Sequence, residues 1–290
     1  MPIVAILNGY YRSGTTILWW IFRLSNLDSI VLYEPTSPVL LDFLNRWRYG
    51  KIDDLHKLPI FDGYFMLPDD ILSKFKRNHR GRSVYTDAKD AIITLNPLHE
   101  CNDNIIIKTC QLHLILNEVS NYYNCNYVHI IRNPAEVFVS HLGAKYRNIG
   151  TLNKMLNVQI EDKAIDGAFW LNELYTIASK RLNVTVKPND YIGKFIISWI
   201  YYNYEAVKQI EKSDKGLAIL FDKIVTSPRK CLKRIAEHLD IKIDTAYSCI
   251  LKRNKAFTLP DEFTVEFENR IEGLNLLEKY MDIIEWGLVV

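Results

Sequence analysis

The sequence has 290 residues, which is enough for one large α/β domain, or a domain carrying a substantial insertion, around a sizeable core. Its 36 lysines and arginines barely exceed its 34 aspartates and glutamates, so the composition excludes bulk nucleic-acid binding and any anion site must be local. No run approaches the ~20 apolar residues of a membrane-spanning helix. The first apolar run leads straight into a glycine turn, so we expect no secretory leader, no anchor and a cytoplasmic protein.

Cysteine and histidine spacing gives no metal signature. The five cysteines are scattered without CxxC spacing, which is typical of reduced core thiols rather than of a disulfide framework or a zinc site. The seven histidines are dispersed as well, and His129, inside an apolar run, is expected to be a hydrogen-bonded core residue. We therefore expect no metal.

Short apolar runs alternate with helical patterns along the chain. This order indicates an α/β fold with a mostly parallel sheet covered on both faces by helices. The predicted buried strands cover residues 3–7, 29–33, 104–107, 127–131 and 217–221. The predicted helices cover residues 15–25, 112–123, 134–146, 168–182, 193–212 and 229–239. Residues 35–103 and 147–192 interrupt this rhythm, and we interpret them as excursions from a single domain of residues 1–290, where such folds place substrate specificity.

The chain opens with a strand–loop–helix unit whose loop has the pattern of an anion site. Gly9 and Gly14 have the G-x-x-x-x-G spacing of a P-loop, which lets backbone N–H groups converge on an anion at a helix N-terminus. A nucleoside triphosphatase would place lysine after Gly14, whereas here the cation lies earlier, at Arg12. One arginine suits a singly charged sulfonate better than a triphosphate with Mg²⁺. The loop hydroxyls that would assist it are those of Ser13, Thr15 and Thr16.

A second helix start follows the fourth predicted strand. Asn133 is a good N-cap, Pro134 suits the first helical position, and Glu136 completes the pattern of a capping box. Arg132 therefore lies at a helix N-terminus, where its fork suits phosphate, and Ser140 lies about two turns further on. In isolation the same pattern also fits a well-capped helix with a surface arginine.

Together, the two motifs resemble those of sulfotransferases that use 3′-phosphoadenosine-5′-phosphosulfate (PAPS). Residues 12–16 resemble the 5′-phosphosulfate loop of that family, and Arg132 with Ser140 resembles its 3′-phosphate element. A weaker match follows the last predicted strand, with Phe221 and Lys223 where the family has Tyr and Asp. The resemblance implies a three-layer fold like that of P-loop NTPases, with helical and loop insertions over the active site. It also implies PAPS as donor and its bisphosphate, PAP, as product.

Sulfuryl transfer needs a base for the acceptor hydroxyl and a cation for the leaving oxygen. Glu34, at the end of the second predicted strand, resembles the base of the tyrosylprotein and carbohydrate sulfotransferases. His113 is the alternative, because the small-molecule branch uses a histidine, although it falls within a predicted helix. Lys108, at the end of the third strand, resembles the catalytic lysine of the family, and Arg12 completes the predicted catalytic set.

The acceptor is predicted only as a hydroxyl-bearing molecule: a glycan, a peptide tyrosine or a small molecule. Aromatic residues that could line its pocket in the 35–103 excursion are Trp47, Tyr49, Phe61, Tyr64 and Phe65. The aromatic residues of a later helix are expected to be mainly core, namely Trp199, Tyr201, Tyr202 and Tyr204. The basic run 252–255 could close over the 3′-phosphate. Two other functions fit parts of this pattern: a P-loop kinase or NTPase, and a non-catalytic nucleotide-binding homologue.

Overall fold

One parallel five-stranded sheet forms the centre of the molecule, in the order β2-β3-β1-β4-β5. The computed structural model describes residues 2–26, 28–54, 56–142, 168–252 and 261–287. The strands are β1 Ile3–Gly9, β2 Ile30–Tyr33, β3 Ile105–Thr109, β4 Asn126–Ile131 and β5 Gly216–Leu220. Each lies within two residues of a predicted strand, so the α/β prediction is confirmed.

Helices connect the strands and follow the last one. Those before β3 are α1 Thr15–Ser25, α2 Leu40–Arg46, α3 Asp69–Asn78 and α4 Ala88–His99. Those between β3 and β5 are α5 Leu116–Tyr123, α6 Pro134–His141, α7 Ala168–Leu182 and α8 Tyr191–Ile210. Those after β5 are α9 Phe221–Thr226, α10 Pro228–Leu239, α11 Ser248–Lys252, α12 Asp261–Gly273 and α13 Leu277–Gly287.

The strand order divides the helices between the two faces of the sheet. The chain moves from β1 outward to β2 through α1, and then reverses, crossing β3, β1 and β4 towards β5. Because parallel crossovers are right-handed, this reversal places α1 on the face opposite α4, α5 and α8. The reversal makes β1 a topological switch point, where the loops after neighbouring strands leave towards opposite faces and open a crevice at the carboxyl edge.

The excursion between β2 and β3 packs against the sheet rather than standing apart. It contains α2, α3, α4 and a 3₁₀ turn, Asp62–Met66, that lies against β2. The Tyr64 hydroxyl donates to the Tyr33 carbonyl at 2.9 Å. Trp47 and Phe61 are buried with Tyr64, whereas Tyr49 and Phe65 are exposed. Three of the five predicted pocket aromatics therefore stabilise the excursion itself.

Some helices and strands begin or end at other residues than the sequence predicts. The helix predicted over residues 112–123 begins only at Leu116, because residues 112–115 form a turn closed by Ile115 N donating to Leu112 O at 3.0 Å. Phe221, predicted as the end of a strand, begins α9. Residues 143–146 of a predicted helix, residues 147–167 of the second excursion, and residues 253–255 of the basic run lie outside the described residues.

Candidate active site

Chemically active side chains follow the strands at the carboxyl edge of the sheet. Arg12 follows β1, Glu34 follows β2, Lys108 is the second-last residue of β3, Arg132 follows β4 and Phe221 follows β5. The register pairs Tyr33 with Lys108 and Gly9 with Ile130, so these ends are level with one another. Residues as far apart in sequence as Arg12 and Phe221 therefore share one crevice at the switch point.

The loop after β1 is a compact cradle in which both glycines are sterically required. A Cβ at Gly9 would lie 2.6 Å from Ser13 Oγ and 2.9 Å from Ile130 O. Gly14 has a φ of 92°, and a Cβ there would overlap the ring of Phe221. Arg12 is also left-handed, with a φ of 66°. A non-glycine residue held in this region is strained and marks a backbone that its surroundings fix.

The three hydroxyl side chains of the loop, those of Ser13, Thr15 and Thr16, differ in what they contact. Ser13 is fully buried and donates through Oγ to Tyr10 O at 2.6 Å, so its hydroxyl closes the loop. Thr15 and Thr16 begin α1, whose first-turn N–H groups have no partners within the helix. Thr16 Oγ1 lies 3.2 Å from the hydroxyl of Tyr33. The loop therefore ends at a helix N-terminus, a geometry that favours anions, and it contacts β2 through Thr16.

Arg132 links the two predicted anion motifs. Its Nη1 donates to Arg12 O at 3.2 Å, and its guanidinium lies 5.0 Å from the ring centroid of Phe221. Its Nε donates to Glu136 at 2.8 Å, so Glu136 orients the arginine instead of completing the predicted capping box. Asn133 alone caps α6, accepting from Ala135 N and Glu136 N. Ser140 is half-buried near the end of α6.

The predicted base and the predicted cation form a buried ion pair. Lys108 Nζ donates to Glu34 Oε1, and Lys108 is only 3% exposed. Lys108 Nζ also lies 3.4 Å from Cys110 Sγ and 4.4 Å from the ring centroid of Tyr33. Glu34 has a φ of 53°, and its second carboxylate oxygen accepts from Cys110 N at 3.1 Å. Glu34, Lys108, Cys110 and Gln111, whose contacts are described below, are called the Glu34 cluster.

Burial and neighbouring groups together determine which side chains of the Glu34 cluster are charged. Burial lowers the pKa of Lys108, but the neighbouring Cys110, Glu34 and Tyr33 outweigh burial and the net shift of its pKa is upward. Burial, followed by the charge of Glu34, raises the pKa of the Cys110 thiol to about 12. Near neutral pH the lysine is therefore a cation and the cysteine is a neutral thiol rather than a nucleophile.

His113 lies in a different environment from the one that the sequence predicts. It precedes α5 in a turn, and its Nδ1 lies 3.0 Å from the side-chain amide of Asn8. The same amide lies 2.9 Å from Nδ1 of His129, whose Nε2 lies 3.0 Å from Asn203 Oδ1. These four residues are called the histidine cluster.

Both rings of the histidine cluster are neutral near pH 7. Burial, and then the proximity of His129, hold the pKa of His113 well below its usual value. Burial lowers the pKa of His129 to about 4. His129 is a hydrogen-bonded core residue, as predicted. The aromatic residues of α8 are also mainly core, since Trp199, Tyr201 and Tyr202 are buried while Tyr204 is only half-buried.

Sequence reasoning missed three residues of the site. Tyr33 and Cys110 contact the predicted site residues Thr16 and Lys108, and Gln111 contacts Cys110, although none of the three was predicted to take part. Cys110 and Gln111 follow Lys108 directly, and Tyr33 precedes Glu34, so proximity to a predicted strand end was the available signal. Among the described residues, no group of three or more His, Cys, Asp or Glu side chains is arranged to hold a metal ion.

Comparison with known sequences identifies this arrangement of motifs. A sequence model of the sulfotransferase domain matches residues 2–269. The chain belongs to the sulfotransferase family. The resemblance predicted from residues 12–16 and from Arg132 is thus confirmed at the level of the family. Within the described ranges, no helix of this sulfotransferase-family protein is long and apolar enough to cross a membrane.

Its relatives are distant in sequence. It is 26% identical over 298 residues to an uncharacterised protein of Archaeoglobus fulgidus, with 94% of each chain covered. Mouse sulfotransferase SULT7A1, solved in complex with PAP, is 14% identical, with a TM-score of 0.43 over 98% of this chain and 83% of that one. The sulfotransferase domain of the Synechococcus PCC 7002 olefin synthase is 15% identical, with a TM-score of 0.45 over 95% of this chain and 94% of that one.

Proposed function

We propose that this protein transfers a sulfuryl group from PAPS to an acceptor hydroxyl. The observation that carries the proposal is the link between the two anion motifs, since Arg132 donates to Arg12 O across the switch point. Two arginines and a helix N-terminus at one crevice suit a ligand with two separate anionic groups. PAPS has such groups in its 5′-phosphosulfate and its 3′-phosphate. Mouse SULT7A1, in the same family, was solved with PAP.

The residues of the loop fit the phosphosulfate end of the donor. Gly9 and Gly14 stand where side chains would fill the cradle, and the first-turn amides of α1 begin at Thr15. We assign the 5′-phosphosulfate to residues 12–16 and the 3′-phosphate to Arg132 and Ser140. In the described structure the Ser13 hydroxyl and its backbone N–H both donate to Tyr10 O, so the hydroxyl would have to turn away from Tyr10 O to donate to the phosphosulfate.

We assign the proton transfer to Glu34 and the charge stabilisation to Lys108. Glu34 would take the proton of the acceptor hydroxyl as its oxygen bonds to sulfur. The bond between sulfur and the 5′-phosphate oxygen breaks in the same displacement, and the ammonium of Lys108 stabilises the charge on that oxygen. The ion pair supports this assignment, because it places the lysine directly beside the proposed base. Positioning and charge would supply the catalysis.

The acceptor is proposed to bind against the 35–103 excursion of a single domain. This segment reaches the donor loop, because the Tyr11 hydroxyl donates to Ser83 O at 3.0 Å. Glu34 directly precedes this segment, so a hydroxyl bound there would meet the base. We further propose a cytoplasmic location, which the five reduced cysteines support.

Donor binding and transfer are tested separately. PAP should raise the melting temperature more than ATP with Mg²⁺ does, and Arg132→Met should weaken PAP binding by about 2 kcal/mol, because it removes charge-assisted hydrogen bonds. Arg77→Met, on the exposed surface of α3, is the matched control. Labelled PAPS with a panel of glycans, tyrosine peptides and phenols then reports PAP release.

Two results would contradict the proposal. Stabilisation by ATP with Mg²⁺ but not by PAP would indicate a P-loop kinase or NTPase. PAP binding without transfer to any acceptor, together with no effect of Glu34→Ala and Lys108→Ala on PAPS turnover, would indicate a non-catalytic homologue.

A further inference from the structure

Gln111 is the most highly connected buried polar side chain near Glu34. It is 1% exposed, and its Oε1 accepts from Thr36 Oγ1 and Thr109 Oγ1, each at 2.7 Å, and from Cys110 N at 3.1 Å. Its Nε2 donates to the Tyr11 hydroxyl at 3.1 Å. Both ends of the amide are therefore committed, which fixes its rotamer and orientation.

One side of this network fixes the backbone around Glu34. Cys110 N–H is shared between Gln111 Oε1 and Glu34 Oε2, both at 3.1 Å. Thr36, two residues beyond Glu34, is held by Gln111 and accepts at its carbonyl from Arg82 N at 3.2 Å. The left-handed φ of Glu34 costs about 1–3 kcal/mol, so it persists only because contacts on both sides determine it.

The other side of the network reaches the donor loop and the excursion. Tyr11, which accepts from Gln111, belongs to the cradle after β1 and donates to Ser83 O. Tyr85 N donates to Gln111 O at 2.9 Å. The side chain of Gln111 thus connects the loop after β1 with the segment that follows β2, and its backbone carbonyl holds Tyr85 of the excursion.

We propose that Gln111 is a positioning residue that sets the placement of Glu34 relative to the donor loop. The inference rests on the proposed sulfotransferase function. Gln111 contacts neither the reacting atoms nor the carboxylate of Glu34 directly, and it acts through Cys110 N, Thr36 and Tyr11. In-line displacement depends on alignment of acceptor, base and donor, and a displacement of about 1 Å can cost about 100-fold in rate.

Two substitutions separate placement from stability. Gln111→Met keeps the length of the side chain but removes all its hydrogen bonds, and kcat should fall by about 30-fold while PAP affinity changes little. Gln111→Glu keeps the accepting oxygen and should recover much of kcat. It also adds negative charge beside Glu34, so the acid limb of the pH–rate profile should move to higher pH. Hydrogen exchange of the amides of residues 34–37 should quicken in Gln111→Met only.

Gln209→Met is the matched control. Gln209 is another glutamine with both amide ends bonded, accepting from Asn117 N at 3.1 Å and donating to His113 O at 2.6 Å. Its substitution should lower stability and leave kcat and the pH–rate profile unchanged. If the wild type transfers but Gln111→Met keeps its kcat, or lowers kcat only in proportion to folded protein, the positioning role is wrong. If the wild type transfers to no acceptor, the proposed function itself fails.

Discussion

Two buried polar clusters lie at the carboxyl end of the same sheet and carry charge in opposite ways. In the Glu34 cluster the pKa of the buried Lys108 is raised, because its neighbours, Glu34 among them, outweigh the effect of burial. In the histidine cluster the two imidazoles have amide neighbours, no carboxylate of the described residues forms a hydrogen bond or ion pair with them, and burial keeps both rings uncharged. Burial alone lowers the pKa of a basic side chain, as it does for the two histidines. A neighbouring opposite charge reverses this shift, as it does for Lys108.

The contrast bears on which residue is the base. Glu34 lies beside the proposed leaving-group cation and directly before the excursion. His113 packs its ring near His129 and Tyr202, at centroid distances of 5.4 and 5.8 Å, and is 2% exposed. The surroundings of His113 serve packing between the sheet and α8. They favour Glu34 as the base while leaving His113 as the alternative to be tested.

The largest effect should come from substituting the two candidate bases in parallel. Glu34→Gln should lower kcat by about 10³-fold, because it removes the proton acceptor, whereas His113→Gln should change kcat only slightly. Steady-state PAP release measures both, and thermal unfolding checks that each variant is folded. The reverse ranking would make His113 the base and would end the proposed role of Glu34.

Removing Lys108, the other partner of the ion pair with Glu34, should give the next largest effect. Lys108→Met should lower kcat by about 100-fold, because the leaving oxygen loses its cation. It should also cost about 3–5 kcal/mol of stability, since Glu34 stays buried without a counter-charge.

Urea unfolding and PAP release measure these two losses independently. Lys74→Met, which breaks the exposed pair between Lys74 and Glu100, should alter neither quantity. If Lys108→Met is as stable as the wild type, then the Glu34 cluster does not depend on charge compensation.

A smaller effect should appear in the pH dependence of stability. The folded pKa of His129 is lowered to about 4, so between its ordinary pKa and that value the unfolded chain binds a proton that the folded chain does not. Stability should therefore fall as the pH falls, and His129 alone should contribute about 2 kcal/mol of loss between about pH 7 and pH 5. His113 shifts in the same direction and adds to the loss.

The comparison of His129→Gln with the wild type isolates this contribution. The variant should start from lower stability but lose less of it on acidification, as measured by urea unfolding at both pH values. Parallel losses in the two proteins would show that His129 is not the group whose protonation is opposed by folding.

Much of this architecture follows from local pattern, and the exceptions have physical causes. Buried parallel strands are continuous apolar runs, so all five were predictable from windows of a few residues. The start of α5 was not, because the turn at residues 112–115 is held by contacts of His113 with Asn8, 105 positions away. Trp47, Phe61 and Tyr64 were likewise predicted to line an acceptor pocket, whereas they pack the excursion against β2.

The sequence by itself determined the α/β class, the strand ends and the family, since each depends on residues close together in the chain. The tertiary structure decided which side chains meet. Lys108 and Glu34 are 74 residues apart, and they pair because β2 and β3 lie in a register that sets Tyr33 beside Lys108. Gln111 joins the donor loop to the Glu34 segment for the same reason. Local periodicity encodes which segments are strands, but long-range packing fixes their order and register, and with them the chemistry at the edge of the sheet.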